Sequence, residues 1–221
     1  MLRRASYRPI EATPEGERPL CCGRTFLATG LISEAKAEAR RMLAALKPHL
    51  DRGTAIVGLE PSCLFTLRDE FLGLLPGDDS KALATQAKLF EEFVAEESAA
   101  GRFKLSPGRN APAKVLLHGH CNQKAFNTLG ASVAALKAVP GIAVETFEST
   151  CCGMAGAFGY EAEHHEMSLK IGELGVLPKM RAADANTVLA ASGTSCHHQI
   201  RDGAAREAFH VARILDEATA D

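Results

Sequence analysis

Seven cysteines stand at Cys21, Cys22, Cys63, Cys121, Cys151, Cys152 and Cys196 of a 221-residue chain. Two adjacent pairs each open a Cys-Cys-Gly triplet, and each triplet is followed by one distant cysteine. An odd number of thiols so arranged points to metal or redox chemistry rather than a disulfide framework. Thiolate is a soft anionic ligand, suited to iron-sulfur clusters and to zinc, and either can draw its ligands from loops far apart in sequence. A cubane needs four such ligands, and Cys121, Cys151, Cys152 and Cys196 supply four. Two neighbouring thiolates reach a single tetrahedral zinc with difficulty, because zinc sites prefer the wider Cys-x2-Cys spacing; the pair therefore favours a centre with several irons. Gly153, Gly156 and Gly159 are expected to let backbone N–H groups approach sulfur. Buried inert thiols remain the alternative for any one cysteine, but not for the pattern as a whole. His118, His120, His197 and His198 flank Cys121 and Cys196 as ligands, hydrogen-bond donors, proton carriers or plain loop residues. His164 and His165 fall on an expected helix and read as surface.

The cysteines also reveal a repeat. Laying Cys21-Cys22-Gly23 over Cys151-Cys152-Gly153 brings Cys63 near Cys196, with gaps of 41 and 44 residues from each second cysteine. Each of those single cysteines follows a serine and precedes Arg-Asp five positions on, at Arg68-Asp69 and Arg201-Asp202. A duplication is the simplest source of such agreement. Cys121 lies 30 residues before Cys151, whereas 30 residues before Cys21 runs off the sequence. Residues from Met1 to Pro19 offer no substitute, so the first unit is expected to be incomplete at its front. The units are expected over 1–104 and 113–221, joined at Ser106 to Ala113.

Short apolar runs predict strands over Thr54 to Leu59, Lys114 to His118, Ile142 to Phe147 and Thr187 to Ala191. Helices are predicted at about Ser33 to Lys47, Ser80 to Ala100, Gln123 to Ala138, Glu161 to Leu174 and Gln199 to Ala218. The alternation implies an α/β fold of two duplicated units with mainly parallel sheets, and with cysteine loops at the C-terminal ends of strands, where open parallel sheets gather functional groups.

Composition narrows the function. A 46% hydrophobic and 24% charged chain is ordinary for a globular protein. With no Trp, two Tyr and a net charge of −2, it lacks both the stacking platform and the basic footprint of a nucleic-acid binder. No apolar run is long enough for a transmembrane segment, and Met1-Leu2-Arg3-Arg4 opens no secretory signal, so a cytoplasmic setting is expected. No G-x-G-x-x-G or Walker motif occurs, which puts flavin or nucleotide chemistry elsewhere. A thiol-disulfide enzyme fits poorly, since vicinal disulfides are strained and no Cys-x-x-Cys opens a helix.

The triplets with HGHCNQKA at 118–125, STCCGMAGAFGYE at 149–161 and SGTSCHHQI at 192–200 resemble the cysteine-rich CCG domain family. That family is found in heterodisulfide reductase, in the glycolate oxidase iron-sulfur protein and in anaerobic glycerol-3-phosphate dehydrogenase. The nearest resemblance is to the C-terminal region of FAD-linked oxidases of D-2-hydroxy acids, and it spans Pro19 to Leu215. It implies electron transfer through a [4Fe-4S] cluster held by Cys121, Cys151, Cys152 and Cys196, with Cys21, Cys22 and Cys63 as an incomplete second set. It further implies FAD in a separate domain or partner subunit, a quinone or similar acceptor, and attachment to the inner membrane only through partners. The full family pattern is a cysteine, Cys-Cys-Gly, then Cys-x-x-Cys, twice over. Here Glu60 and Gly193 replace the first cysteine of each Cys-x-x-Cys, so a five-cysteine noncubane centre lacks one ligand in the second unit and two in the first. A structural or regulatory zinc domain that docks partners is the competing expectation.

Overall fold

A computed structural model describes residues 1–12 and 18–220. Part of the Met1 to Pro19 stretch, residues 13–17, therefore lies outside the described residues. The chain divides into two compact units, one of Arg8–Phe90 and one of Glu91–Asp221 together with Met1–Tyr7.

In the first unit the long helix Ile32–Leu50 buries Ala35, Ala39, Leu46 and Leu50 along one stripe. Alanine at Ala35 and Ala39 favours the helix and leaves room for close packing. Against it lie the helices Pro61–Arg68, Glu70–Leu74 and Asp78–Gln86, with Phe65, Phe71 and Leu83 in the core. Glu38, 3% exposed in this apolar setting, is paired with Arg41 at 2.7 Å and with Arg18. Two short strands, β1 (Ile56–Gly58) and β2 (Ala87–Leu89), pair in parallel, with Ile56 opposite Ala87.

The second unit carries a four-stranded sheet in the order β4-β3-β5-β6, with every pairing parallel. Its strands are β3 (Lys114–His118), β4 (Ala143–Thr146), β5 (Val188–Ala191) and β6 (Ala208–Phe209). The central strands carry uninterrupted apolar runs, 115–117 in β3 and Val188–Ala191 in β5, as strands buried on both faces do; Val115, Leu117, Ala190 and Ala191 are fully buried. Edge strand β4 is mostly exposed. Tyr7 fastens the N-terminal segment to this unit through Phe93, Phe103 and a 2.6 Å hydrogen bond to Glu97. The Ser106 to Ala113 stretch is irregular and docks on the C-terminal helix, Gly108 N–H donating to Ala218 O at 2.7 Å.

The α/β class and the parallel sheets agree with the sequence. Three helices do not. The Ser80 to Ala100 helix is interrupted by β2 and resumes at Phe90–Ala99, since pairing with β1 outweighs local helical preference. The Gln123 to Ala138 helix is two, Cys121–Ala125 and Leu129–Lys137, parted where Asn127 turns left-handed at φ 55°. The Gln199 to Ala218 helix is likewise Thr194–Ala204 and Val211–Ala218, separated by left-handed Ala205 and by β6. Glu161 to Leu174 narrows to His165–Glu173, and Val176–Ala182 follows it.

The sheet core sets the stability of the second unit. Leu117→Ala, at a fully buried β3 position, is expected to cost about 2–5 kcal/mol in urea unfolding. Leu174→Ala, at a side chain 75% exposed, is expected to stay within about 0.5 kcal/mol of the parent.

Candidate metal centre

Parallel strands place their C-terminal ends along one edge, and that edge receives the four cysteines of the second unit. Cys121 opens the helix that follows β3, Cys151 and Cys152 lie in the loop after β4, and Cys196 is the third residue of the helix after β5. The sulfurs meet in pairs: Cys121 Sγ is 3.6 Å from Cys151 Sγ, and Cys196 Sγ is 3.5 Å from Cys152 Sγ. Cys152 and Cys196 are buried, while Cys121 and Cys151 are partly accessible.

Each pair shares a proton unequally. Cys151 lies far below an ordinary thiol, first because the Cys121 thiol donates to it, with the adjacent Cys152 and the N–H groups of Gly153 and Ala155 contributing. Cys196 is lowered by the Cys152 thiol and then by His118 and His120. Cys121 and Cys152, their partners in these close sulfur pairs, are correspondingly raised. The helix N-terminus beneath Cys196 adds partial positive charge. Four soft donors at one sheet edge, two of them already favouring the thiolate, fit a thiolate-bound metal cluster.

The triplet geometry repeats in the two units. Gly153 N–H donates to Cys151 Sγ at 3.3 Å, and Gly23 N–H to Cys21 Sγ at 3.4 Å. Both glycines are left-handed, at φ 102° and 80°. A Cβ on Gly153 would meet the Ser168 carbonyl oxygen at 2.0 Å, and one on Gly23 the Ala35 carbonyl oxygen at 2.9 Å. Glycine is thus required twice over, by conformation and by the helix behind it. Gly159 packs tightly on Ser168 and Met154, whereas Gly156 faces open space.

In the first unit Cys63 is the third residue of the helix after β1, the same position that Cys196 holds after β5. Cys22 is lowered to about 6 by the Cys63 thiol, with the Arg24 N–H and guanidinium contributing, and Cys63 is raised in return. Cys21, Cys22 and Cys63 thus form a smaller set of the same design. Among the described residues no fourth cysteine belongs to that unit.

The histidines separate. His118 is fully buried and His120 is 8% exposed. His120 Nδ1 accepts the Asn122 N–H at 3.1 Å while Gln123 Oε1 accepts the His120 N–H at 3.1 Å, which caps the helix bearing Cys121. Its ring fills the space left by Gly193, whose Cβ would lie 2.4 Å from His120 Cδ2. His197 bonds the Ala191 carbonyl at 2.7 Å and His198 the Tyr160 hydroxyl at 2.6 Å, so neither faces the thiols as its main contact. His164 stacks on Phe158 and pairs with Glu161 at 2.6 Å.

Two residues escaped the sequence reading. Lys124 Nζ reaches Ser149 O at 2.7 Å, Ser149 Oγ at 2.9 Å and Thr150 O at 3.3 Å, tying the Cys151 loop to the helix of Cys121. Their only signal is position: Lys124 follows Cys121 by three, one helical face on, and Ser149 precedes the pair by two.

Comparison with known proteins gives a family and relatives. Residues 115–201 match the model of the CCG cysteine-rich domain. The chain is 25% identical over 201 residues to a subunit of the anaerobic glycerol-3-phosphate dehydrogenase of Escherichia coli K12, covering 90% of this chain and 50% of that protein. It is 29% identical over 181 residues to "D-2-hydroxyglutarate dehydrogenase" of the same strain, covering 81% and 17%. To "Lactate utilization protein A" of Lysinibacillus sphaericus it is 24% identical over 220 residues, covering 90% and 88%. The chain thus spans half or less of the length of the two dehydrogenase relatives.

Two substitutions test the local chemistry. Gly156→Ala is expected to cost about 1 kcal/mol from left-handed strain alone, and Gly153→Ala at least about twice that because a backbone carbonyl stands in the way; urea titrations compare them. In the metal-free chain, ultraviolet thiolate absorbance should include a component that rises as pH passes about 6, from Cys22. Cys63→Ala removes the donated hydrogen bond and is expected to move that component toward higher pH.

Proposed function

The segment 115–201 is a cysteine-rich domain of the CCG family, and from that premise we propose that the chain is the iron-sulfur, electron-transferring region of an FAD-linked oxidoreductase acting on a D-2-hydroxy acid. The observation that carries this reading is the meeting of Cys121, Cys151, Cys152 and Cys196 at one sheet edge, in two sulfur pairs 3.6 and 3.5 Å apart. These four are the proposed ligands of a [4Fe-4S] cluster. Cys21, Cys22 and Cys63 are a second proposed metal-binding set, short of a full complement. The relatives named as glycerol-3-phosphate and D-2-hydroxyglutarate dehydrogenases support a flavin-bearing partner domain or subunit, where the hydroxy acid is oxidised and its two electrons are first held. A bound cluster supplies acceptance and release of one electron at a time.

The residues of this chain do the rest. Cys151 and Cys196 present thiolates, the Gly153 N–H offsets negative charge on Cys151, and Lys124 holds the loop in place. Burial of Cys152 and Cys196 excludes water from one side. The partly accessible Cys121 and Cys151 mark the side for electron exchange, toward a quinone or another acceptor. No described helix is long and apolar enough to cross a membrane. A cytoplasmic chain, peripheral to the inner membrane through its partners, is part of the same proposal.

The test is anaerobic purification after expression with iron. The chain should be brown, hold about four irons with matching sulfide, and bleach with dithionite, and Cys152→Ser should lose the colour. A colourless chain with one tightly bound zinc would replace this reading with the structural zinc domain.

A further inference from the structure

Half of the second unit's sheet recurs in the first unit, in the same register. Gly58 ends β1 five residues before Cys63, and Ala191 ends β5 five residues before Cys196. Ile56, Val57 and Gly58 therefore correspond to Leu189, Ala190 and Ala191. Their partners correspond too: Ile56 lies opposite Ala87 and Val57 opposite Lys88, as Leu189 lies opposite Ala208 and Ala190 opposite Phe209. The two strands differ in their other neighbour. β5 is flanked on its second side by β3, with Leu116 opposite Leu189, Leu117 opposite Ala190 and His118 opposite Ala191. β1 has β2 alone; no described strand pairs with its second edge. Val57, at the position of the fully buried Ala190, is 37% exposed.

An open strand edge presents backbone N–H and C=O groups to any extended segment that can pair with them. The repeat says which segment fits. In the second unit the strand at this place is apolar, and three residues past its end stands Cys121, whose sulfur meets that of Cys151 at 3.6 Å. Cys21 is the counterpart of Cys151, and among the described residues of its unit nothing is the counterpart of Cys121.

We propose that the open edge of β1 docks a parallel, apolar strand of a partner polypeptide in the register that β3 keeps against β5, and that a cysteine three residues past this strand meets Cys21 as the fourth thiol of the set. A second copy of the chain is a poor source, because its own β3 lies between β4 and β5 with Val115 and Leu117 fully buried. Register matters twice: a slip of one residue turns the docked strand's side chains to the opposite face and carries its cysteine about 3.3 Å along the edge. The ligand role of that cysteine rests on the metal-binding reading of Cys21, Cys22 and Cys63, whereas the docking of the strand does not.

A synthetic peptide of residues 113–122, which carries β3 and Cys121, is the probe, used in excess on the full metal-free chain. Hydrogen exchange at 56–58 should slow at least about tenfold. Mild oxidation with diamide should then join the peptide's cysteine to Cys21, located by mass spectrometry of the digest; the two thiols become one disulfide, and diamide takes up their two electrons and two protons. The same peptide with Leu116→Pro, which loses a ladder N–H, should do neither. Unchanged exchange at 56–58 overturns the proposal. Protection with cross-links spread over all the cysteines overturns the register and the fourth thiol. Protection at 56–58 that grows with chain concentration in the absence of peptide makes the occupant a second copy and overturns the partner. An iron-free chain in the metal analysis removes the ligand role alone, which the exchange measurement reports separately from docking.

Discussion

Parallel pairing of β3 with β4 on one side and β5 on the other is the constraint from which the centre follows. Because the three strands run the same way, the loops after His118, Thr146 and Ala191 emerge along one edge, and the cysteines they carry converge although 75 residues separate the first from the last. Burial of β3 and β5 on both faces holds this edge in register: a one-residue slip would send Leu117 or Leu189 to the opposite buried face, against side chains packed for a different shape. Stability and the thiol arrangement therefore draw on the same side chains.

On that scaffold, the triplet glycine brings chemistry and packing together. Its left-handed turn aims a backbone N–H at the first sulfur of the pair, and its missing Cβ admits the carbonyl of the helix behind. Clustered thiolates repel one another, and burial penalises their charge. The pairs relieve this by sharing protons, Cys121 with Cys151 and Cys152 with Cys196, and the surrounding N–H groups and helix terminus offset the charge that remains. A multivalent metal centre would replace those protons. Residues well outside the thiols hold the loops: Lys124 through three oxygens, and Gln123 through the cap at His120.

What could be read from sequence and what could not divide along physical lines. The repeat was legible because Cys-Cys-Gly and Ser-Cys-x4-Arg-Asp depend on local geometry, which recurs as Cys63 and Cys196 at the third position of their helices. The strands β1, β3, β4 and β5 were legible as apolar runs. β2 and β6 were not, because three and two residues inside helical surroundings carry no period of their own and exist only through pairing with β1 and β5. The breaks at Asn127 and Ala205 were hidden for a similar reason: a single left-handed residue ends a helix without altering its amphipathic pattern. Hydrogen bonds of Ser149 with Lys124 and with His118 join residues 25 and 31 apart, and no spacing rule connects them until the fold does.

X-ray absorption at the iron and zinc edges of the anaerobically purified chain tests the central claim most directly. The account predicts iron in an all-sulfur shell with a second shell of iron neighbours, and no stoichiometric zinc. A single zinc per chain in a sulfur shell, with no iron-iron scattering, would contradict it.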